Sequence, residues 1–258
     1  MKLLFLGTGA AGSKKRSEGE IVGALRRCAS LLVDDNVLVD VPKQSFDYAT
    51  KLGVDTSLVT DVFVSHFHTD HYNKEAFLDY ARSARQRLNV WCDRRLVPML
   101  GLSDEETELV NVCPVEAMQE FDAADMHVVA LPANHAGGKA LHFIFEKGNK
   151  RLFYGLDGGW VSADEWRYLF MNEIHFDAMI LDSTFMSQDP VNYRGMGEHN
   201  NVKTLPLLIE GLREVGCADE STVLIADHLG HKADCAPVAE FLQGLGMVPA
   251  YDGLVVEV

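Results

Sequence analysis

Short apolar runs alternate along the chain with longer segments whose apolar residues recur every three or four positions. The short runs read as buried strands and the longer segments as helices with one apolar face. Residues 2–6 form a strand that stops at Gly7. Strands 29–33 and 37–39 follow, joined by Asp34-Asp35-Asn36, residue types that turn a hairpin. Pro42 stands where a first helical turn starts, and 43–52 keeps helical spacing up to Gly53. A strand over 61–65 precedes a helix over 73–88, with Phe77, Leu78, Ala81 and Ala84 on one face, and a strand over 88–92. The second half repeats the theme. Strands 126–131, 140–146 and 151–154 come first, the last two joined by Lys147-Gly148-Asn149-Lys150. Helix 163–172, strand 178–181, helix 202–215, strand 222–226, helix 236–245 and a last strand at 254–258 complete the pattern. Two halves with the same strands-then-helices order predict an α/β protein of two packed sheets with helices outside, not two separable domains.

Composition narrows this picture. The 258 residues suit one large domain or two small ones, and 47% hydrophobic content supports a core. No stretch approaches the roughly 20 apolar residues of a membrane span, and the opening apolar run is too short for a secretory signal. The expected compartment is therefore the cytoplasm, with no membrane partner. Cys28, Cys92, Cys113, Cys217 and Cys235 are scattered and form no C-x-x-C pair, so they support neither a disulfide frame nor a cysteine zinc knuckle. The formal charge of −15 repels polyanions at long range and weighs against nucleic acid, while small phosphate substrates remain compatible. Lys14, Lys15, Arg16, Arg26 and Arg27, like Arg82, Arg85, Arg87, Arg94 and Arg95, read as solvated faces.

The chemistry concentrates in His66-Phe67-His68-Thr69-Asp70-His71. At this chain's His and Asp frequencies, such spacing arises about once per thousand shuffled chains. On a continuing strand His66 and His68 share a face, with Asp70 next and His71 opposed. A strand that turns into a helix here lets all four side chains converge. Neutral imidazoles with a carboxylate suit zinc, manganese or iron. The bland alternative is that Asp70 caps the next helix and the histidines are surface groups. Phe67, between two ligands, is expected to pack inward.

The motif resembles H-x-H-x-D-H of the metallo-β-lactamase superfamily, and the resemblance runs over the whole chain, from Leu6-Gly7-Thr8-Gly9 onward. It implies an αββα sandwich, two mixed sheets flanked by helices, as one domain over 1–258. It also implies two divalent metal ions. His66, His68 and His135 would hold one; Asp70, His71 and His228 would hold the other; Asp157 would bridge them. His135, Asp157 and His228 each directly follow an apolar run, where loops gather at a sheet edge. His127, His142 and His175 lack such placement and read as structural. Leu181-Asp182-Ser183-Thr184-Phe185 with Gly197-Glu198-His199-Asn200-Asn201 resembles two phosphodiesterase branches: the cyclic phosphodiesterase of the carbon–phosphorus lyase pathway and the tRNA 3′-processing endonuclease. By that resemblance His199 is the general acid, and with Asp70 it makes up the catalytic set. The other reading is a loop histidine before a helix.

The expected function is hydrolysis of a small or cyclic phosphate diester by in-line attack of a metal-bridging hydroxide. A tRNA-processing endonuclease, a thioester or lactone hydrolase, and a non-catalytic sensor are the alternatives. The resemblance allows a homodimer, though no apolar strip marks an interface. Asp227 is a candidate support for a ligand imidazole. His231 resembles a structural-zinc position of the cyclic phosphodiesterase, but the cysteine cluster that site needs is absent between Gly12 and Cys28. Gly7-Thr8-Gly9-Ala10-Ala11-Gly12 fits a dinucleotide fingerprint, but a polar run follows it where a helix is required. It reads instead as a tight turn at the edge of the site, whose N–H groups could meet a substrate phosphate.

Overall fold

The computed structural model describes residues 1–11, 26–186, 197–230 and 235–258. The first sheet contains β1 (Lys2–Gly7), β2 (Ser30–Val33), β3 (Val37–Val39), β4 (Asp61–Val64), β5 (Leu88–Asp93) and β6 (Val110–Val115) in sequence order. The second contains β7 (Glu120–Ala123), β8 (Met126–Ala133), β9 (Ala140–Lys147), β10 (Lys150–Gly155), β11 (Ala178–Asp182), β12 (Val223–Asp227) and β13 (Met247–Pro249), also in order. The last strand, β14 (Val255–Glu257), returns to pair with β1. Both sheets are mixed. Strands β1 to β3 pair antiparallel and β3 to β6 parallel. Likewise β7 to β10 pair antiparallel and β10 to β13 parallel. The repeated order seen in the sequence is thus a repeated topology.

Strand periodicity explains the layers. Side chains alternate faces along a strand. In β1, Leu3 and Phe5 join a core between the sheets, while Leu4 and Leu6 join one beneath the helices. In β11, Ala178 and Ile180 face the other sheet, and Met179 and Leu181 face outward helices. Both faces are buried, so these strands read as unbroken apolar runs. Helices α1 (Ser45–Lys51) and α2 (Lys74–Ser83) cover the first sheet, and the short α3 (Asp104–Thr107) precedes β6. Helices α4 (Ala163–Met171), α5 (Thr204–Glu214) and α6 (Ala236–Gly244) cover the second. This is the expected αββα sandwich. No helix among the described residues is long and apolar enough to cross a membrane.

The differences have local causes. Helix α2 stops at Ser83, short of 88, because Ala84 is extended (φ −61°, ψ 145°). The hairpin turn is as expected: Asp34 and Asp35 both take positive φ, the type I′ geometry that matches strand twist. In the middle basic group Arg82, Arg85 and Arg94 form exposed ion pairs. Arg26, expected on a solvated face, is buried, and donates to Thr8 Oγ1 at 2.8 Å and to the Ala250 carbonyl. Arg27 stacks over Tyr48 and pairs with Asp252 at 3.2 Å. Lys14, Lys15, Arg16, Gly12 and His231 lie outside the described residues.

Candidate metal centre

The histidine motif fills the connection between β4 and α2. Its backbone closes on itself: the N–H groups of His71 and Tyr72 both donate to the His68 carbonyl at 2.9 Å. Val41 N donates to the His71 carbonyl and Asn73 N to the Val41 carbonyl, both at 2.7 Å, pinning the loop to the end of β3. Asn73 caps α2, its side chain accepting from Ala76 N. The helix therefore does not need Asp70 as a cap, and Asp70 turns to the centre. Phe67 packs inward on Tyr72, ring centroids 4.7 Å apart.

All seven expected ligands converge. His66, His68 and His135 form one group of mutually close donor atoms and Asp70, His71 and His228 another, with Asp157 joined to His66 and His71. His66, His71, Asp157 and His228 are at most 2% exposed, whereas His68 lies at the open side. His71 Nε2 faces His228 Nε2 at 3.2 Å, and His135 Nε2 faces His68 Nδ1 at 3.2 Å. Asp157 Oδ2 lies 2.8 Å from His71 Nε2 and 3.3 Å from His228 Nε2, while Asp157 Oδ1 is 3.6 Å from His135 Nε2. Asp70 Oδ2 is 3.5 Å from His228 Nε2 and 3.8 Å from His71 Nε2.

These distances suit a cation better than a hydrogen-bond network. Donors at about 2.0–2.1 Å from one tetrahedral zinc stand about 3.3 Å from each other. The separations above scatter around that value. His66 Nε2 is buried without a hydrogen-bond partner, and Asp157 Oδ2, beside His71 and His228, has none of hydrogen-bond geometry. Unpaired buried polar atoms are costly, and these two within the donor set point to an ion they would share. Electrostatics agree. Burial lowers the His71 pKa, but Asp157 and Asp40 outweigh it and hold it well above the ordinary value. Burial is likewise overcome at His228 by Asp157, Asp182 and Asp70, and its pKa rises to about 10. The carboxylates thus favour positive charge where the rings meet. His66 is driven well below its ordinary value by burial and by His71, against the pull of Asp157.

Around this set sits a second ring of groups: Asp40, which no sequence motif announced, and Asp182 and Thr184, which stand in the Leu181–Phe185 stretch but had no role assigned there. Asp40, fully buried after β3, accepts at Oδ2 from His71 Nδ1 (2.7 Å), Ser65 Oγ (2.8 Å) and Tyr154 OH (2.9 Å). Its Oδ1 accepts from Ser65 N at 2.8 Å. A carboxylate on the far nitrogen of a ligand imidazole fixes the ring and its tautomer. Asp182, at the end of β11, lies 3.0 Å from His199 Nδ1 and 3.3 Å from His228 Nδ1 and accepts from Asn200 N at 2.8 Å. Thr184 Oγ1 is 2.8 Å from His228 Nδ1. The ring support expected of Asp227 therefore comes from Thr184 and Asp182. Asp227 instead accepts from the His228 backbone N–H at 2.7 Å, and burial pushes its pKa up to about 7. The available signal was positional: Asp40 directly follows β3, Asp182 ends β11 and Asp157 stands two residues past β10.

His199 joins the site. It stacks on His228 (centroids 5.6 Å, 14°), and its Nδ1 is 3.6 Å from Asp157 Oδ1. Burial opposes its protonation, yet Asp182 raises its pKa. Asp40, Asp157 and His228 all take positive φ, between 55° and 60°, a region a non-glycine residue occupies at a cost and mostly at functional positions. The glycine turn does lie beside the site, since Ala10 N bonds the Leu229 carbonyl. The N–H groups of Thr8, Gly9 and Ala10 are taken up within the fold: Thr8 N and Gly9 N both donate to the Arg27 carbonyl. His127 and His175 lie away from the centre, beside Asp122 and Asp219.

The chain matches the beta-lactamase superfamily domain over residues 37–232 and belongs to that superfamily. Comparison with curated protein sequences finds no match. Solved structures share the fold. A diphosphatase of the PhnP family superposes with a TM-score of 0.73 at 16% identity, over 100% of this chain and 96% of that one. Zinc-bound PqqB from Methylobacterium extorquens gives 0.72 at 14%, over 100% of both chains. The short form of human tRNase Z gives 0.71 at 14%, over 100% and 99%. Fold and family together make this a metallo-β-lactamase-fold protein of a metal-dependent hydrolase superfamily, with a His/Asp cluster that fits a metal site.

Proposed function

We propose that the protein is a phosphodiesterase for a small or cyclic phosphate diester, using two divalent ions. His66, His68 and His135 would hold one ion, Asp70, His71 and His228 the other, and Asp157 both. Bound there, zinc or manganese would acidify a water and neutralise the phosphoryl oxygens. The observation that carries the reading is His199 beside the donor set, with Asp182 on its Nδ1. Asp182 favours the imidazolium, and Nε2 is the nitrogen left to give a proton. A departing alkoxide needs such a donor at neutral pH. The PhnP-family diphosphatase and tRNase Z are both phosphate-cleaving by name, in keeping with this chemistry. The charge of −15 favours a compact substrate over a polynucleotide.

The test is hydrolysis of bis(p-nitrophenyl) phosphate by zinc- or manganese-loaded protein, beside His199→Ala and a panel of matched ester, lactone and thioester. We expect diester turnover and a loss of about 10²–10⁴-fold in the variant. Turnover of the carbon-centred panel alone overturns the substrate class. No turnover in a metal-replete protein leaves a ligand-binding role.

A further inference from the structure

One buried ionisable pair has no part in the reading above. His142, on β9, turns to the same face as Ile144, towards the outer helices. There its Nδ1 meets Glu165 Oε1 of α4 at 2.6 Å, with the two side chains 2% and 0% exposed. The other oxygen of Glu165 accepts from Ser162 N at 2.7 Å, closing the capping box at the start of α4. Both carboxylate oxygens are thus committed, and the ring is fixed at its Nδ1 edge. Its opposite edge is pressed against backbone. A Cβ added at Gly158 would come within 2.1 Å of both Cε1 and Nε2 of His142. The imidazole therefore occupies the space that a side chain directly after Asp157 would take.

The contact continues across the glycine pair. A Cβ at Gly159 would meet His199 N at 2.7 Å and the Gly197 carbonyl oxygen at 2.8 Å. Gly158-Gly159 is thus clamped between the His142 ring on one side and the backbone carrying His199 on the other. Asp157 itself holds φ at 55°, a conformation that an unsupported loop would not keep. A buried ionisable pair is an expensive packing element, since apolar residues would fill the same volume without desolvating polar groups. Its geometry does what an apolar filler would not: one hydrogen bond at Nδ1, to a carboxylate itself held by Ser162 N, sets the ring's orientation, and the ring sets the height of the loop.

We propose that His142, oriented by Glu165, is a positioning residue for the reaction, holding Asp157 and, through Gly159, His199 in register across the metal centre. This rests on the metal-centred reading above. No proton is transferred through the pair; it acts by fixing the backbone between the shared carboxylate and the proton donor.

The test uses the full chain and two variants. Glu165→Gln is isosteric and keeps an oxygen for Ser162 N while removing the carboxylate from His142. Gly158→Ala/His142→Ala removes the ring and puts a methyl group in its place, to be compared with Gly158→Ala alone, where the two collide. Zinc affinity is read by competition with a chromophoric chelator, the visible spectrum of cobalt-loaded protein reports the ligand field, and kcat and KM are measured on the diester. Thermal unfolding of metal-free protein is followed in parallel. We expect Glu165→Gln to weaken zinc binding about tenfold, the low end of what loss of an outer partner costs. We also expect a shifted cobalt spectrum and a lower kcat at unchanged KM. Gly158→Ala should lose more, and the double variant should recover part of that loss. A purely structural role predicts lower unfolding temperatures with zinc affinity, cobalt spectrum and kcat within twofold of the parent, and that result overturns the proposal. A parent protein that binds no zinc overturns the metal-centred reading and this inference with it.

Discussion

Asp40→Asn is the sharpest probe of the outer ring. Asparagine tolerates the left-handed backbone at position 40 (φ 60°) and matches aspartate in shape, so neither strain nor a cavity confuses the result. What changes is the donor count. Four donors converge on the carboxylate: Ser65 N at Oδ1, and Ser65 Oγ, His71 Nδ1 and Tyr154 OH at Oδ2. An amide turned one way sets its NH₂ against the Ser65 N–H; turned the other way, against the remaining three groups. The hydroxyls can rotate to accept, but a backbone N–H cannot. One buried donor left unpaired costs about 1–3 kcal/mol of stability. For the metal, loss of the carboxylate behind a ligand imidazole costs about 10–100-fold in affinity, equivalent to about 1.4–2.7 kcal/mol. Chelator competition measures the second quantity and thermal unfolding of metal-free protein the first. A variant that unfolds cooperatively yet binds zinc within twofold of the parent would refute the role assigned to Asp40.

Two further expectations concern protons. With the pKa of His228 raised to about 10 and that of His71 held well above its ordinary value by Asp157 and Asp40, zinc uptake should release protons and strengthen as pH rises. Titration calorimetry in buffers of differing ionisation enthalpy counts them, and uptake without proton release would contradict the assignment. The same raised pKa makes His228 stabilising below its unfolded value of 6.5, with that stability lost as pH rises through about 10, so the unfolding temperature of metal-free protein should fall from pH 7 to 10 and that of loaded protein should not follow it. Finally, Asp182→Asn should lower the His199 pKa and move the alkaline limb of the diester pH–rate profile to lower pH. An unmoved limb would mean that His199 is not the proton donor.

Apart from the exposed edge strand β14, the strands that the sequence displayed were mostly those buried on both faces. Residues such as Leu3-Leu4-Phe5-Leu6 and Met179-Ile180-Leu181 leave no polar position to blur the pattern. The strands it concealed, β6, β7 and β13, lie at sheet edges. Edges carry charge and proline to discourage pairing with other chains. That is why Pro114 interrupts β6, Glu120 and Asp122 stud β7, and Pro249 ends β13. The candidate metal donors were legible because four of them share one short loop, and the rest follow strands in order. Asp40 was not, because it is a single ordinary residue whose importance arises only when distant strand ends meet; Asp182 and Thr184 stood in a recognisable stretch, but their contact with His228 arises only in the fold. His142 carried no signal either; its neighbour Gly158 lies 16 positions away in sequence.

The repeated topology has a consequence for how the site comes into being. The chain crosses from the first sheet to the second between Val115 and Glu120. Each cluster of three donors straddles that crossing: His66 and His68 stand before it and His135 after, Asp70 and His71 before it and His228 after. Neither half contains a complete triad, while the second alone holds the four-donor group Asp157, Asp182, His199 and His228. Binding of two ions would therefore report that the halves have docked, and a chain cut within residues 116–119 and co-expressed as two pieces should bind both only as the pieces reassemble.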